Sequence, residues 1–268
     1  MKLLFLVPLL LALAVFGLCL ASAKARSFFA DIGYGLSQMV FGHMARNGLV
    51  LFGFNFPEGT RFYFCSSENF ASAKTISAVT NANPAAATST AHGYVDNDEV
   101  LFLSGWEDAT NQILRVNQTA TDNFEFLGLN SSNTRFYPAG SGTGTTQKVG
   151  TWVQIPQVIS INTSGGDPRF TDVQLLASRN ALKIPTGFNA TTTVLGLAHD
   201  PADTNWLSMI EISRSLTPVS FKMALGGGGT TYAYGYMAVN ESPKMNVNQV
   251  NQVDVSFAFL GRQISYAT

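Results

Sequence analysis

Beyond Phe52 the chain is written in short apolar or alternating runs, each closed by Gly, Pro, Asn or Asp, and this punctuation constrains the fold more than any other feature. Residues 60–64 are predicted as a strand, entered through the turn Asn55-Phe56-Pro57-Glu58-Gly59. A second candidate, 75–80, is closed by Asn81-Ala82-Asn83-Pro84, and 86–91, the turn 95–98 and the apolar run 99–103 follow. Residues 113–116 and 124–129 are expected to pair across the polar turn 117–123. The Gly/Ser/Thr-rich stretch 139–146 reads as a linker or mobile loop. The strands of 75–138 therefore read as a compact module inserted between halves of something larger.

Past that stretch, 152–161, 170–176 and 191–197 are further strand candidates rich in Val, Ile and Thr. One helix is expected. Asp200 can cap it, Pro201 suits its first position, and Asp203 favours the positive end of the dipole. Trp206, Met209, Ile210 and Leu216 then give an apolar stripe for packing on a sheet, and Pro218 ends the run. The chain closes with 219–225, the tetraglycine 226–229, 230–239 and a long strand, 246–260. In that strand Val247, Val253, Val255, Phe257 and Phe259 share one parity, opposite to Asn246, Asn248, Asp254 and Ser256. The expectation is an all-β protein with one packed helix.

Sixteen Lys+Arg against 17 Asp+Glu leave a net charge of -1, unlike the basic excess of a protein that grips nucleic acid. Cys19 and Cys65 are too few for a disulfide framework or a thiolate metal site, and Cys65 reads as a core residue. His43, His92 and His199 lie too far from one another and from either Cys for zinc-ligand spacing. His92, His199, Asp98 and Asp200 lack any nucleophile elbow, and His199 beside the helix cap reads as structural. Asp96, Asp98 and Glu99 lack the calcium-loop ligand pattern and read as a polar hairpin turn. Gly226–Gly229 lacks the Lys-Ser/Thr of a phosphate loop and reads as a flexible hairpin. No catalytic, cofactor-binding or metal-binding residue is nominated, and no enzyme is expected.

Residues 1–43 look like a leader. Met1-Lys2 precedes an uncharged, mostly apolar run, 3–20, and Ala21-Ser22-Ala23 before Lys24 has the small-x-small form of a cleavage site. The alternatives are a cleaved signal or retained anchor, and an upstream extension with synthesis starting at Met44. Without Lys2, Lys24, Arg26 and Asp31 the rest carries 13 basic against 16 acidic groups, net -3.

From Trp152-Val153-Gln154-Ile155-Pro156-Gln157-Val158 through Asn162-Thr163-Ser164-Gly165-Gly166-Asp167-Pro168-Arg169-Phe170, the chain resembles the major tail tube protein family of long non-contractile-tailed phages. Ile184-Pro185-Thr186, His199-Asp200-Pro201 with Trp206, Ala238-Val239-Asn240-Glu241-Ser242-Pro243 and Leu260-Gly261-Arg262-Gln263-Ile264-Ser265-Tyr266-Ala267 keep the family's order. Phe56-Pro57-Glu58-Gly59-Thr60-Arg61-Phe62 resembles its opening strand. The insert, with Asn81-Ala82-Asn83-Pro84, Ala91-His92-Gly93-Tyr94 and Asp98-Glu99-Val100, is similar to a small β module of phage structural proteins and to the FCCH segment of ubiquitin-activating enzymes, without a catalytic cysteine.

The resemblance implies a β-sandwich/barrel tail-tube domain over 44–74 and 149–268, with 75–148 as the inserted module. It implies hexameric rings stacked into the tube that carries DNA into the host. Residues 151–162 and 247–260 are then candidate barrel strands, and 139–146 and the N-terminal arm are ring-to-ring contacts. Implied partners are further copies of the chain and the tape measure, tail tip and terminator proteins, with DNA passing through unbound. A membrane is involved only if 1–43 are retained. The location is the virion tail, assembled in host cytoplasm, where no secretion leader is expected. The rival reading is a secreted or membrane-anchored β-rich binding module, an adhesin or a carbohydrate-binding module. It is supported by the leader, by the sequons at Asn117, Asn130, Asn162, Asn189 and Asn240, and by Tyr232, Tyr234 and Tyr236 on one strand face, where they could stack on sugars or equally pack on the helix.

Overall fold

Seventeen strands and one α-helix stand among the described residues, Glu58–Ala267 of a computed structural model. The leader-like run, Met44 and most of the first turn lie outside them. Strand β1 (Arg61–Ser66) precedes seven short strands: β2 (Lys74–Ile76), β3 (Ala78–Val79), β4 (Ala85–Thr88), β5 (Glu99–Ser104), β6 (Gln112–Ala120), β7 (Asn123–Leu127) and β8 (Gly144–Lys148). These seven form a sheet of their own, in the order β2-β8-β5-β6-β7-β4-β3. Its two end strands are separated in sequence by Ser77 alone. A flat seven-strand sheet would be about 29 Å wide, and one intervening residue bridges about 7 Å. The sheet is therefore rolled, around Phe102, Trp106, Leu114, Phe124 and Phe126.

The chain then continues through β9 (Val153–Gln154), β10 (Val158–Ser164), the hairpin β11 (Pro168–Val173) and β12 (Leu182–Phe188), and β13 (Thr192–Ala198). Helix α1 (Thr204–Ser215) leads into β14 (Pro218–Ala224), β15 (Thr230–Val239), β16 (Gln252–Phe259) and β17 (Ile264–Tyr266). With β1, these strands make an eight-stranded antiparallel sheet, order β10-β13-β16-β15-β14-β1-β9 with β17 added to β15; the hairpin stands outside it. The end strands β9 and β10 are joined by Ile155-Pro156-Gln157, a span of at most about 14 Å, so this sheet also curls. Its inner face and α1 enclose Phe64, Leu195, Met209, Phe221, Val255 and Phe257. A third apolar cluster, Cys65, Leu101, Ile113, Val149, Tyr232 and Tyr234, lies where the outer faces of the two sheets meet.

Several sequence expectations shift by a few residues for identifiable reasons. The run 75–80 splits into β2 and β3, which pair with different neighbours. The run 152–161 breaks at Pro156, which has no N–H to donate, and at Gln157, held at φ 50°. Strand β6 continues to Ala120, so the turn before β7 is shorter than 117–123. Asp203, not Asp200, caps α1: its Oδ1 accepts from Asn205 N at 2.8 Å and Trp206 N at 2.9 Å. Asp200 Oδ1 accepts only from Ala202 N, one turn earlier. Leu216 is not in the buried stripe but is the exposed left-handed C-cap.

The 139–146 stretch is not a linker. Its end forms β8, between β2 and β5, and the Thr146 side chain is fully buried. Two of its three glycines, Gly142 and Gly144, serve close approach, while Gly140 takes a left-handed turn conformation at φ 77°. A Cβ on Gly144 would lie 1.9 Å from Leu103 O, and one on Gly142 would lie 2.7 Å from the Trp106 ring. At the other end of the chain, 246–249 form a turn, with Asn248 at φ 63° and Gln249 N donating to Asn246 O. Val247 is therefore exposed, while the predicted alternation holds from Val253 to Phe259.

Candidate functional site

Most of the chemically tempting side chains make defined structural contacts, although the buried Nδ1 of His199 has no hydrogen-bond partner among the described residues. His92 is buried, its Nδ1 accepting from Tyr94 N at 3.0 Å, which leaves Nε2–H to donate to Ala120 O. His199 packs edge-on against Trp206 beside the helix start. Asp98 closes the turn by accepting from Val95 N and pairs with Lys148 at 2.6 Å, and Asp96 accepts from Gln118 N. Gly226–Gly229 form the β14–β15 hairpin loop, in which Gly228 and Gly229 carry φ of 94° and 96°. Burial raises the pKa of the Cys65 thiol, as expected of a core cysteine.

Glu99 turns away from its neighbouring acids into the junction between the two sheets. Its carboxylate accepts from Lys222 Nζ at 2.7 Å, from the Tyr232 hydroxyl and from Trp152 Nε1. Lys222 also lies 5.2 Å from the Trp152 ring centroid. Arg115 of β6 donates to Tyr232 Oη at 2.9 Å and lies 4.8 Å from the Tyr266 ring centroid. Tyr266 Oη accepts from Arg115 N and donates to Leu127 O. Burial, with Glu99 beside it, pushes the Tyr232 phenol far above its ordinary value; burial raises Tyr266 as well. The three tyrosines of β15 do share a face, as expected. Tyr232 and Tyr234 are buried against the second sheet, however, so no three-ring platform for sugars exists.

The same outer face is uncovered across β10, β13, β16 and the last part of β15. One row of paired positions reads Asn162, Val194, Ser256 and Ala238; the next reads Ser164, Thr192, Ala258 and Tyr236. Of the residues in these rows and the Ser160–Gly196–Asp254 row beside them, Asp254 alone is charged, and Lys244 pairs with it. Alternate residues turn inward: Leu195 with Val255, and Thr193 with Phe257 and Met237, all buried. Amides, hydroxyls and methyl groups make up the rest of the face.

Strand β10 borders it. Its second edge has no partner strand among the described residues, and its seven residues carry no charge and no proline. Such an edge is ready to pair with another chain. The β11–β12 hairpin is equally unprovided for. Val173, Leu182 and Ile184 lie on one of its faces and Phe170 and Pro185 on the other, while neither strand pairs beyond the hairpin. Phe170, Leu182 and Ile184 are about half exposed. A lone two-stranded hairpin is marginal in water, and an edge and a hairpin left in this state suit contact with further copies of the chain. Sequence reading found the strands of this surface and a candidate for β11 but missed β12, and with it the hairpin and its isolation, which depends on what else packs nearby.

The chain matches the family model of the phage tail tube protein over residues 104–268, well over half its length, and belongs to that family. The matched region starts inside the second sheet. Among solved structures, it is similar to a chain of the SPP1 tail tube determined by solid-state NMR and cryo-EM, at 9% identity and TM-score 0.34, covering 44% of this chain and 70% of that one. It is also similar to a chain of the six-fold-symmetrised anti-feeding prophage baseplate, at 10% identity and TM-score 0.32, covering 44% and 85%. The anti-feeding prophage tube-terminating cap gives 14% identity and TM-score 0.29, covering 43% and 83%. No curated protein matches the sequence.

Proposed function

We propose that this tail tube family member is the repeating wall subunit of a phage tail, six copies forming a ring and rings stacking into the conduit through which DNA leaves. The observation that carries the reading is the uncovered polar sheet face beside a free edge. Pairing β10 with a neighbouring copy would extend the face around a ring and remove an edge that otherwise invites aggregation. A wall that conducts DNA must not hold it, and each exposed Lys or Arg neutralising a phosphate adds attraction. Rows of Asn, Ser, Thr and Ala, with Asp254 already paired, suit such a lumen. Residues 75–148 act as a module carried on the outside of a tube domain made from 44–74 and 149–268.

Assembly takes place in host cytoplasm, with tape measure, tail tip and terminator proteins as further contacts. Membrane contact arises only if 1–43 are retained. Negative-stain microscopy and mass measurement on the purified chain and on residues 44–268 test the reading. Rings of six or tubes with a central hole are the expected result. A species that stays monomeric at every concentration, even with a preformed tail tip present, refutes it.

A further inference from the structure

Where the seven-stranded sheet meets the last strand of the chain, a pocket of about 360 Å³ opens between the two. Asp108, Gln112, Asn130 and Tyr137 line it from that sheet and its loops, and Arg262 and Gln263 from the turn that leads into β17. The volume lies in the range of small-ligand sites, about 300–1,000 Å³. The polar groups of the lining converge without satisfying one another. The Asp108 carboxylate, the Tyr137 hydroxyl, the Arg262 guanidinium and the Gln263 amide make no hydrogen bond or ion pair among the described residues. Gln112 is only 3% exposed; its Nε2 donates to Asp108 O, while its Oε1 has no donor among the described residues. Asn130 Oδ1 accepts from Ser132 N and Oγ, which leaves the Asn130 Nδ2 unused. Burial is the first cause that raises the Tyr137 phenol pKa; the Asp108 charge raises it further and the Arg262 charge lowers it, so both charges act on one hydroxyl.

The walls are fixed before anything binds. A Cβ on Gly261 would lie 2.2 Å from Asn111 O, so the turn carrying Arg262 rests directly on the loop entering β6. Asn81 Nδ2 donates to Tyr137 O at 2.8 Å, and Trp106 Nε1 donates to Pro138 O at 2.8 Å. A site held open in this way loses little entropy on binding. One carboxylate and one guanidinium leave the lining neutral: an anion meets Asp108 and a cation meets Arg262. Amides that donate and accept, with a carboxylate to accept and a guanidinium to donate, match a ring of hydroxyl groups. A zwitterion matches the two charges but gives the three amides no charge to serve. We propose that this pocket binds an uncharged sugar ring, Asp108 and Gln112 accepting from its hydroxyls and Arg262 and Gln263 donating to them. Such a site goes beyond the conduit reading and does not need the chain to polymerise.

Ligand-observed saturation-transfer NMR on the full chain tests it, with methyl α-glucoside, methyl β-galactoside and N-acetylglucosamine as probes and glycylglycine and inorganic phosphate for comparison. At least one sugar is expected to saturate with a Kd of about 1–10 mM, and the two charged compounds to give no saturable signal. Asp108→Ala and Arg262→Gln are each expected to raise that Kd by about tenfold or more, and Gln263→Ala by about threefold. Arg262 and Gln263 are exposed, so their variants remain readable by unchanged circular-dichroism melts even where Asp108→Ala unfolds. No saturable binding by any of the three sugars up to about 50 mM overturns the proposal. Sugar binding that survives both Arg262→Gln and Gln263→Ala lies elsewhere on the chain and overturns it equally. Binding of glycylglycine or phosphate in place of the sugars gives the pocket a charged ligand and refutes the assigned class.

Discussion

Glu99→Ala should be among the most damaging single substitutions outside the apolar cores. Glu99 and Lys222 keep only 16% and 22% of their side-chain surface exposed, and the pair joins one sheet to the other. Removing one member of a buried pair strands the other charge, at a cost of about 3–5 kcal/mol. The remaining exposure lets some water reach Lys222 and sets the expectation at the lower end, about 3 kcal/mol. The Trp152 N–H loses its acceptor as well, adding about 1 kcal/mol. Tyr232 is better off, because its oxygen still accepts from Arg115.

A total near 4 kcal/mol corresponds to a melting point lower by about 8–16 °C in a chain of this size. Glu99→Gln keeps one acceptor oxygen and should cost about half as much. Lys222→Met, combined with Glu99→Gln, completes a cycle in which the double variant should be more stable than the sum of the singles predicts, by at least ~1 kcal/mol. Chemical denaturation of the four proteins measures this. A Glu99→Ala cost below ~1 kcal/mol, or strict additivity, would show that the junction is held by apolar contact alone and would refute the reasoning.

Gly144→Ala should destabilise by about 3 kcal/mol or more, because its Cβ meets backbone Leu103 O at 1.9 Å and neither strand can yield without breaking the β5–β8 ladder; denaturant titration reads this. Asp203→Ala should cost about 1 kcal/mol through the lost helix cap, and Asp200→Ala much less; equal losses in thermal melts would return the cap to Asp200. Alkaline titration tests the buried phenols. Tyr94, Tyr232, Tyr234 and Tyr266 all have pKa values raised above 10, with burial as the first cause. Above pH 10 the unfolded chain therefore releases protons that the folded chain retains. Stability should be unaffected by these groups below pH 10 and fall as pH rises beyond it, by up to about 1.4 kcal/mol per pH unit for each phenol. A flat denaturation midpoint between pH 10 and 11.5 would contradict their burial.

Strand alternation and the helix were legible because each depends on neighbours a few residues away. Val253, Val255, Phe257 and Phe259 announce a half-buried strand wherever it lands, and Trp206 with Met209 announces a helix face. The sequence misled where one residue type serves two physical ends. Gly142 and Gly144 read as flexibility but permit close packing under Trp106 and against Leu103. Asp200 beside Pro201 had the form of a cap, yet the helix starts where Asp203 can reach two free N–H groups. The Glu99 junction was out of reach for another reason. It gathers residues 99, 115, 152, 222, 232 and 266, and only the rolled sheets bring them together.

The division of one sheet face into a covered and an uncovered part links this fold to its proposed task. On β15 the outward side chains include Tyr232, Tyr234 and Tyr236; the first two are buried under the second sheet and the third is 44% exposed. Where the cover lies, the neighbouring outward residues include Cys65, Lys222 and their aromatic partners, a surface too apolar to leave in water. Where it ends, the outward rows turn to Asn162, Ser164, Thr192, Ser256 and Ala258, which water or a passing polyanion can touch without being held. Side-chain chemistry thus changes at the boundary of the cover, while the inward face stays mostly apolar, with the buried hydroxyls of Thr193 and Thr231 as exceptions. A sheet buried on both faces across its whole width would leave no wall for a conduit, and one uncovered across its whole width would expose the tyrosines. The two-part face is compatible with both demands on a single sheet, and under the proposed function its free β10 edge is where a neighbouring copy would continue it.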